Sequence, residues 1–89
     1  MSGARFRFDR LAVEGHEARY AVHVELAPDA ICAAEARLGP AGAALGVFDR
    51  APPPWAVEQA VALLRTVAKN HAAEGDWPRR VQRWRAPRG

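Results

Sequence analysis

Residues 5–26 read RFRFDRLAVEGHEARYAVHVEL, and this stretch decides the fold. Its first part, residues 5–9, alternates charged and aromatic side chains, as expected of a strand with one buried face. Residues 18–26 alternate in the same way and keep one phase throughout. Between the two parts, Gly15 stands where a two-residue type II′ turn needs a positive φ. The stretch therefore predicts an antiparallel β-hairpin.

The two strands of this hairpin are out of phase with each other. A two-residue turn pairs Leu11 with Tyr20 and places both on the core face. Continued without interruption, the same register would turn Phe6 and Phe8 to the opposite face. One extra residue near Asp9-Arg10 returns both phenylalanines to the core face, opposite the valines of the second strand. We therefore predict a β-bulge in the first strand.

The next segment allows two interpretations. Turn signals at 27–29 and 39–42 enclose residues 30–38, which alternate small apolar and polar side chains as a strand does. The same residues could form a short helix, with a proline near its start and a glycine after its end. We favour the strand, because a hairpin needs a third strand for stability. Ala43–Phe48 then predicts a fourth strand, weakened by a glycine.

Residues 55–73 predict an amphipathic helix. Three prolines precede it, and Gly75 suits its end. Its apolar positions recur at intervals of three and four residues, which is the spacing of one helix face. They are Val57, Ala60, Val61, Leu64, Val67, Ala68 and His71. We expect the valines and Leu64 of this face to pack on the core face of the sheet.

The last part of the chain differs in charge from the rest. Residues 1–76 contain ten acidic and eight basic residues, whereas residues 77–89 contain five arginines and no acidic residue. Asp76 can cap a short basic helix, on which Trp77, Val81 and Trp84 would form one stripe. We accordingly divide the chain into an α+β core, residues 1–76, and an attached Trp/Arg segment, residues 77–89.

This C-terminal segment holds the candidate partner-binding residues. Guanidinium groups pair with phosphate or carboxylate, and indole rings offer faces for stacking. In the other interpretation, the two tryptophans close the edge of a small core and the arginines extend over it into water. In a third, the chain is unordered after Trp84. The candidate residues are Trp77, Arg79, Arg80, Arg83, Trp84 and Arg85.

The composition gives no support to an enzyme. The chain has one serine, one threonine and a single cysteine, Cys32, so it lacks material for a hydroxyl triad or a disulfide. The spacing of His16, His23 and His71 does not suggest convergence on a metal or an acid–base site. Glycine-rich phosphate loops are absent from the sequence. We predict no catalytic, metal or cofactor-binding residue and no cofactor.

These observations lead to one fold and two functions. The predicted fold is α+β, a three- to four-stranded antiparallel meander in the order 1-2-3-(4) with the long helix on one face. The other face carries Arg5, Arg7, Arg19, His23 and Glu25 and is expected to be exposed to solvent or to contact a partner. We predict a small non-catalytic protein-interaction or self-associating accessory module in the cytoplasm, with a protein partner or a homo-oligomer and no membrane. The alternative is weak, nonspecific binding of nucleic acid or another polyanion by the C-terminal arginines.

Overall fold

The computed structural model describes residues 3–26 and 29–86. Five strands and one helix follow one another in this part of the chain. They are β1 (Ala4–Glu14), β2 (Glu17–Leu26), β3 (Ala30–Gly39), β4 (Gly42–Leu45), α1 (Pro54–His71) and β5 (Arg80–Arg85). All neighbouring strands are antiparallel, and their order in the sheet is β4-β3-β2-β1-β5. The α+β class and the meander of the first four strands are confirmed, and the sheet has one strand more than predicted.

The first hairpin contains the predicted bulge. Gly15 turns the chain with a φ of 62°, and Phe6 and Phe8 lie opposite Val24 and Val22 as expected. The register shifts between Arg10 and Ala12, so the extra residue is Leu11. Arg10, and not Leu11 as predicted, therefore lies opposite Tyr20.

Residues 30–39 form a strand, as favoured over the helix. The fourth strand ends at Leu45 and not, as predicted, at Phe48. Beyond it the chain continues to bond to β3: the Asp49 N–H donates to the Ala33 carbonyl at 2.9 Å, and its carboxylate accepts from the Ala33 N–H at 2.8 Å. The turn predicted at 27–29 lies largely outside the described residues.

The helix packs its apolar face against the core face of the sheet. It ends at His71, two residues earlier than predicted, and Gly75 follows with a φ of 68°. Within the helix Ala56, Ala60, Leu64, Val67 and Ala68 are buried. Val57 and Val61, which were predicted on this face, are only half-buried, so the buried stripe is centred on Ala56, Ala60 and Leu64. The largest fully buried side chains of the sheet are Tyr20, Phe6, Phe8, Leu38, Val22 and Val24.

The prediction of a short C-terminal helix is wrong. Residues 80–85 form β5, which pairs with β1 from Asp9 opposite Arg80 to Ala4 opposite Arg85. Pro78 disfavours the helical conformation at the residue before it and has no N–H to donate. Without β5 the backbone groups on one side of β1 would also be unpaired, and a ladder of strand hydrogen bonds satisfies them.

Replacing Leu64 with alanine tests the packing of the helix on the sheet. Leu64 is fully buried at the centre of α1, so Leu64→Ala should lower the free energy of unfolding by about 2–5 kcal/mol in denaturant melts. Its neighbour Arg65 is exposed, and Arg65→Ala should change the stability by less than about 0.5 kcal/mol. Equal effects of the two substitutions would show that the helix face is misassigned.

Candidate partner-binding surface

The structure separates the two tryptophans of the candidate segment. Trp77 is 3% exposed and belongs to the core, where its ring meets that of Tyr20 edge to face with centroids 6.4 Å apart. Trp84 is 59% exposed. A strand alternates its side chains between two faces, so Val81 points into the core while Trp84 points away from it. The single stripe predicted for these residues does not form.

Trp77 and Pro78 connect the C-terminal segment to the first hairpin through two hydrogen bonds and an aromatic contact. The Tyr20 hydroxyl donates to the Pro78 carbonyl at 2.6 Å, and the Arg10 guanidinium donates to the Trp77 carbonyl at 2.8 Å. Burial raises the pKa of Tyr20 to about 12, although the charge of Arg10 acts in the opposite direction. The phenol therefore remains neutral and able to donate. The bulge is what places Arg10 on this side of the sheet.

The predicted arginines have different environments. Arg80 donates to the Asp9 carboxylate at 2.6 Å. Arg83 donates to the Gln82 carbonyl at 2.6 Å, and Arg85 donates to the Trp84 carbonyl at 2.9 Å. The last two contacts cover carbonyls of β5, which is an edge strand. Charged side chains at an edge hinder the addition of a further strand.

The sheet face opposite α1, hereafter the open face, brings Trp84 together with residues of three other strands. Direct cross-strand partners share a face, so the register defines transverse rows of side chains. The first row, in the order β3-β2-β1-β5, is Ile31, Glu25, Arg5 and Trp84. The second row is Ala33, His23, Arg7 and Gln82. The third row is Glu35, Ala21, Asp9 and Arg80.

Trp84 is held in place at one end of the first row. A Cβ atom added at Gly3 would lie 2.5 Å from the Trp84 ring, so the indole rests directly on the backbone of residue 3. The same Cβ would lie 2.7 Å from the Arg85 carbonyl oxygen, so a residue with a side chain fits here only if both the ring and the end of β5 shift. The ring is thus packed on one side while more than half of its surface remains exposed. A fixed aromatic ring loses little conformational entropy when a partner covers it.

Most charges on the open face are paired within the chain. Arg7 donates to the carboxylates of Asp9 at 3.1 Å and Glu25 at 3.3 Å, and Arg80 contacts Asp9 from the other side. Arg19 and Glu35 are 3.5 Å apart. Burial raises the pKa of Asp9, but hydrogen bonds and positive charge from Arg80 and Arg7 outweigh it and hold the pKa below its usual value. Asp9 is therefore ionised at neutral pH.

Part of the open face follows from the alternation in the sequence. The register confirms the prediction that this face carries Arg5, Arg7, Arg19, His23 and Glu25. Ile31, which is 54% exposed on the same face, was not predicted there. The available signal was its phase, because Ile31 alternates with Cys32 and therefore faces away from the core.

A groove between α1 and β5 offers a second concave surface. Its lining includes the apolar side chains of Leu63, Val67 and Val81 and the basic side chain of Arg83. Val67 and Val81 are already buried against the core, so a partner would remove little additional apolar surface from water there. The open face presents more exposed apolar surface.

A metal centre and a membrane-spanning helix are both absent from the described residues. No group of three or more histidine, cysteine or acidic side chains within them could hold a metal ion. In this same part of the chain no helix combines the length and the apolar character needed to cross a bilayer. The chain matches no family model, no curated protein and no solved structure. The assignment of the surface therefore rests on the geometry of this chain.

Alanine substitutions of the two tryptophans should have very different effects. Trp77→Ala removes a buried ring and should lower the free energy of unfolding by about 3–5 kcal/mol. Trp84→Ala removes a largely exposed ring and should lower it by less than about 1 kcal/mol. Chemical denaturation followed by circular dichroism measures both. Comparable losses for the two variants would contradict the separation of the tryptophans into core and surface.

Proposed function

We propose that this protein is a small protein-interaction module that binds a protein partner through the open face of its sheet. The observation that supports this proposal is the exposure of Ile31 and Trp84 at the two ends of one transverse row. Large apolar side chains in a polar surround are typical anchors of protein interfaces, and tryptophan is among the residues that contribute most to binding. Between them, Glu25 and Arg5 supply one charge of each sign.

The charges of the open face favour a protein over a polyanion. Arg7, Arg19 and Arg80 each contact a carboxylate of the same chain. A phosphate backbone would have to compete with these carboxylates and would be repelled by them. A protein surface of mixed charge can instead extend the existing pairs. The balance of charge on this face thus resembles that of a protein interface rim.

Polyanion binding remains the second candidate because of a different set of residues. Arg79, Arg83 and Arg85 form no ion pair with a carboxylate within the described residues. Arg83 and Arg85 lie on β5 and Arg79 directly precedes it, so the three residues follow one edge of the sheet. Binding of this kind should weaken steeply with salt, because each phosphate contact releases counterions.

Position-specific photo-crosslinking tests the proposal. A benzophenone amino acid replaces Ile31 or Trp84 in the cells that naturally make the protein, and the control carries it at Arg65 on the exposed side of α1. We expect covalent protein adducts from positions 31 and 84 and none from position 65. The adducts should also be lost when Arg5→Glu is added, since this change reverses the charge at the centre of the row.

Three results would contradict the proposal. They are equal adduct formation from all three positions, no protein adduct from either open-face position, and adducts that survive Arg5→Glu unchanged. Nucleic acid in the adducts in place of protein would favour the second candidate.

A further inference from the structure

We infer that the partner of the open face is a second copy of this chain, an inference that rests on the proposed function and specifies its partner. The two copies would face each other across a two-fold axis parallel to the strands, above the boundary between β1 and β2. Such an axis places β3 of one copy over β5 of the other and β2 over β1. The interface is then isologous, so each pair of contacts occurs twice.

The first row of the open face is complementary to the same row in reverse order. Read from β3 to β5, it is apolar, acidic, basic and apolar: Ile31, Glu25, Arg5, Trp84. The two-fold rotation reverses this order in the second copy. Ile31 then covers the Trp84 ring of the other copy, and Glu25 meets the Arg5 guanidinium of the other copy. Both exposed apolar side chains are covered, and both charges are paired.

The third row is complementary at its ends. Its members Glu35 and Arg80 lie on β3 and β5, so the same rotation brings each opposite the other in the second copy. The inner members, Ala21 and Asp9, face each other, and Asp9 keeps its contacts to Arg7 and Arg80 within the chain. Four interchain carboxylate–guanidinium contacts thus arise from two rows.

The middle row allows the two sheets to approach. The rotation brings Ala33 opposite Gln82 and His23 opposite Arg7 of the other copy. Ala33 is small and leaves room for Gln82, and the charge of Arg7 that His23 meets is already balanced by Asp9 and Glu25. Facing sheets in proteins pack about 10 Å apart with their strands aligned to within about 30°. The two-fold axis described here gives this aligned arrangement, because rotation about a line parallel to the strands preserves their direction.

The extent of the face indicates a reversible dimer. The face is four strands wide, at about 4.8 Å per strand, and six residues long, at about 3.3 Å per residue. Its projected area is therefore on the order of 400 Å² per copy. Side-chain relief increases the accessible area above this projection, which places the interface near the lower end of the range for specific complexes. We therefore expect dissociation on dilution.

Complementary charge variants test the arrangement. Arg5→Glu gives a chain with two carboxylates at the centre of the first row, and Glu25→Arg gives a chain with two guanidinium groups there. Each variant repels its own copies twice in the dimer, so its dissociation constant should rise at least about tenfold over wild type in sedimentation velocity. An equimolar mixture of the two variants should regain the dimer, because every facing pair is then opposite in charge.

The mixture separates association from folding. Within each variant chain the like charges remain adjacent, so an effect on folding persists on mixing, whereas an effect on the interface is reversed. Thermal melts of each variant alone confirm that it is folded. Ile31→Ala and Trp84→Ala should each weaken the wild-type dimer at least about tenfold, and Arg65→Ala should leave it unchanged.

The possible failures can be told apart. A wild-type protein that remains monomeric at high concentration overturns the inference, as does a mixture of folded variants that does not regain the wild-type dimer. If position-specific adducts to a different protein still form in cells, the proposed function survives and only the identity of the partner is wrong. If those adducts are also absent, both fail.

Discussion

The extra residue in β1 is the constraint on which the rest of the structure depends. The Gly15 turn fixes the register at one end of the hairpin, and burial of Phe6 and Phe8 fixes it at the other. These two requirements differ by one residue, and the bulge at Leu11 reconciles them. Without it, the phenylalanines would face water and Arg5 and Arg7 would face the core. Burying unpaired guanidinium groups costs far more than a local break in the ladder.

The same bulge connects the hairpin to the C-terminal segment. It leaves Arg10 on the core side of the sheet, where the guanidinium reaches the Trp77 carbonyl and the Arg10 N–H donates to the Arg79 carbonyl at 2.8 Å. Both contacts position the chain just before β5. The basic end of the sequence thereby becomes a strand beside β1, and Trp84 arrives on the open face next to Arg5. The arginines at positions 80, 83 and 85 thus lie along one edge of the sheet, on both of its faces.

How much could be predicted from the sequence depended on how many constraints each segment carried. The hairpin and its bulge were predictable because period-two alternation and a turn glycine both constrain the register. The segment after Asp76 was not, since Trp77, Val81 and Trp84 have the spacing of a helix stripe, whereas a strand over residues 80–85 places Val81 and Trp84 on opposite faces. Only the unpaired edge of β1, a feature distant in sequence, decides between them. The first row could not be predicted either, because its four residues come from four strands and become neighbours only through the register of the whole sheet.

The central claim is that two copies of this chain associate through the face left opposite α1 by this register. Nuclear magnetic resonance over a wide range of protein concentration tests it most directly. We expect the methyl signals of Ile31 and Ala33 and the indole N–H signal of Trp84 to shift together as the concentration rises, while the indole N–H signal of Trp77 stays constant. Signals of the open face that remain constant throughout, or shifts confined to the groove between α1 and β5, would contradict it.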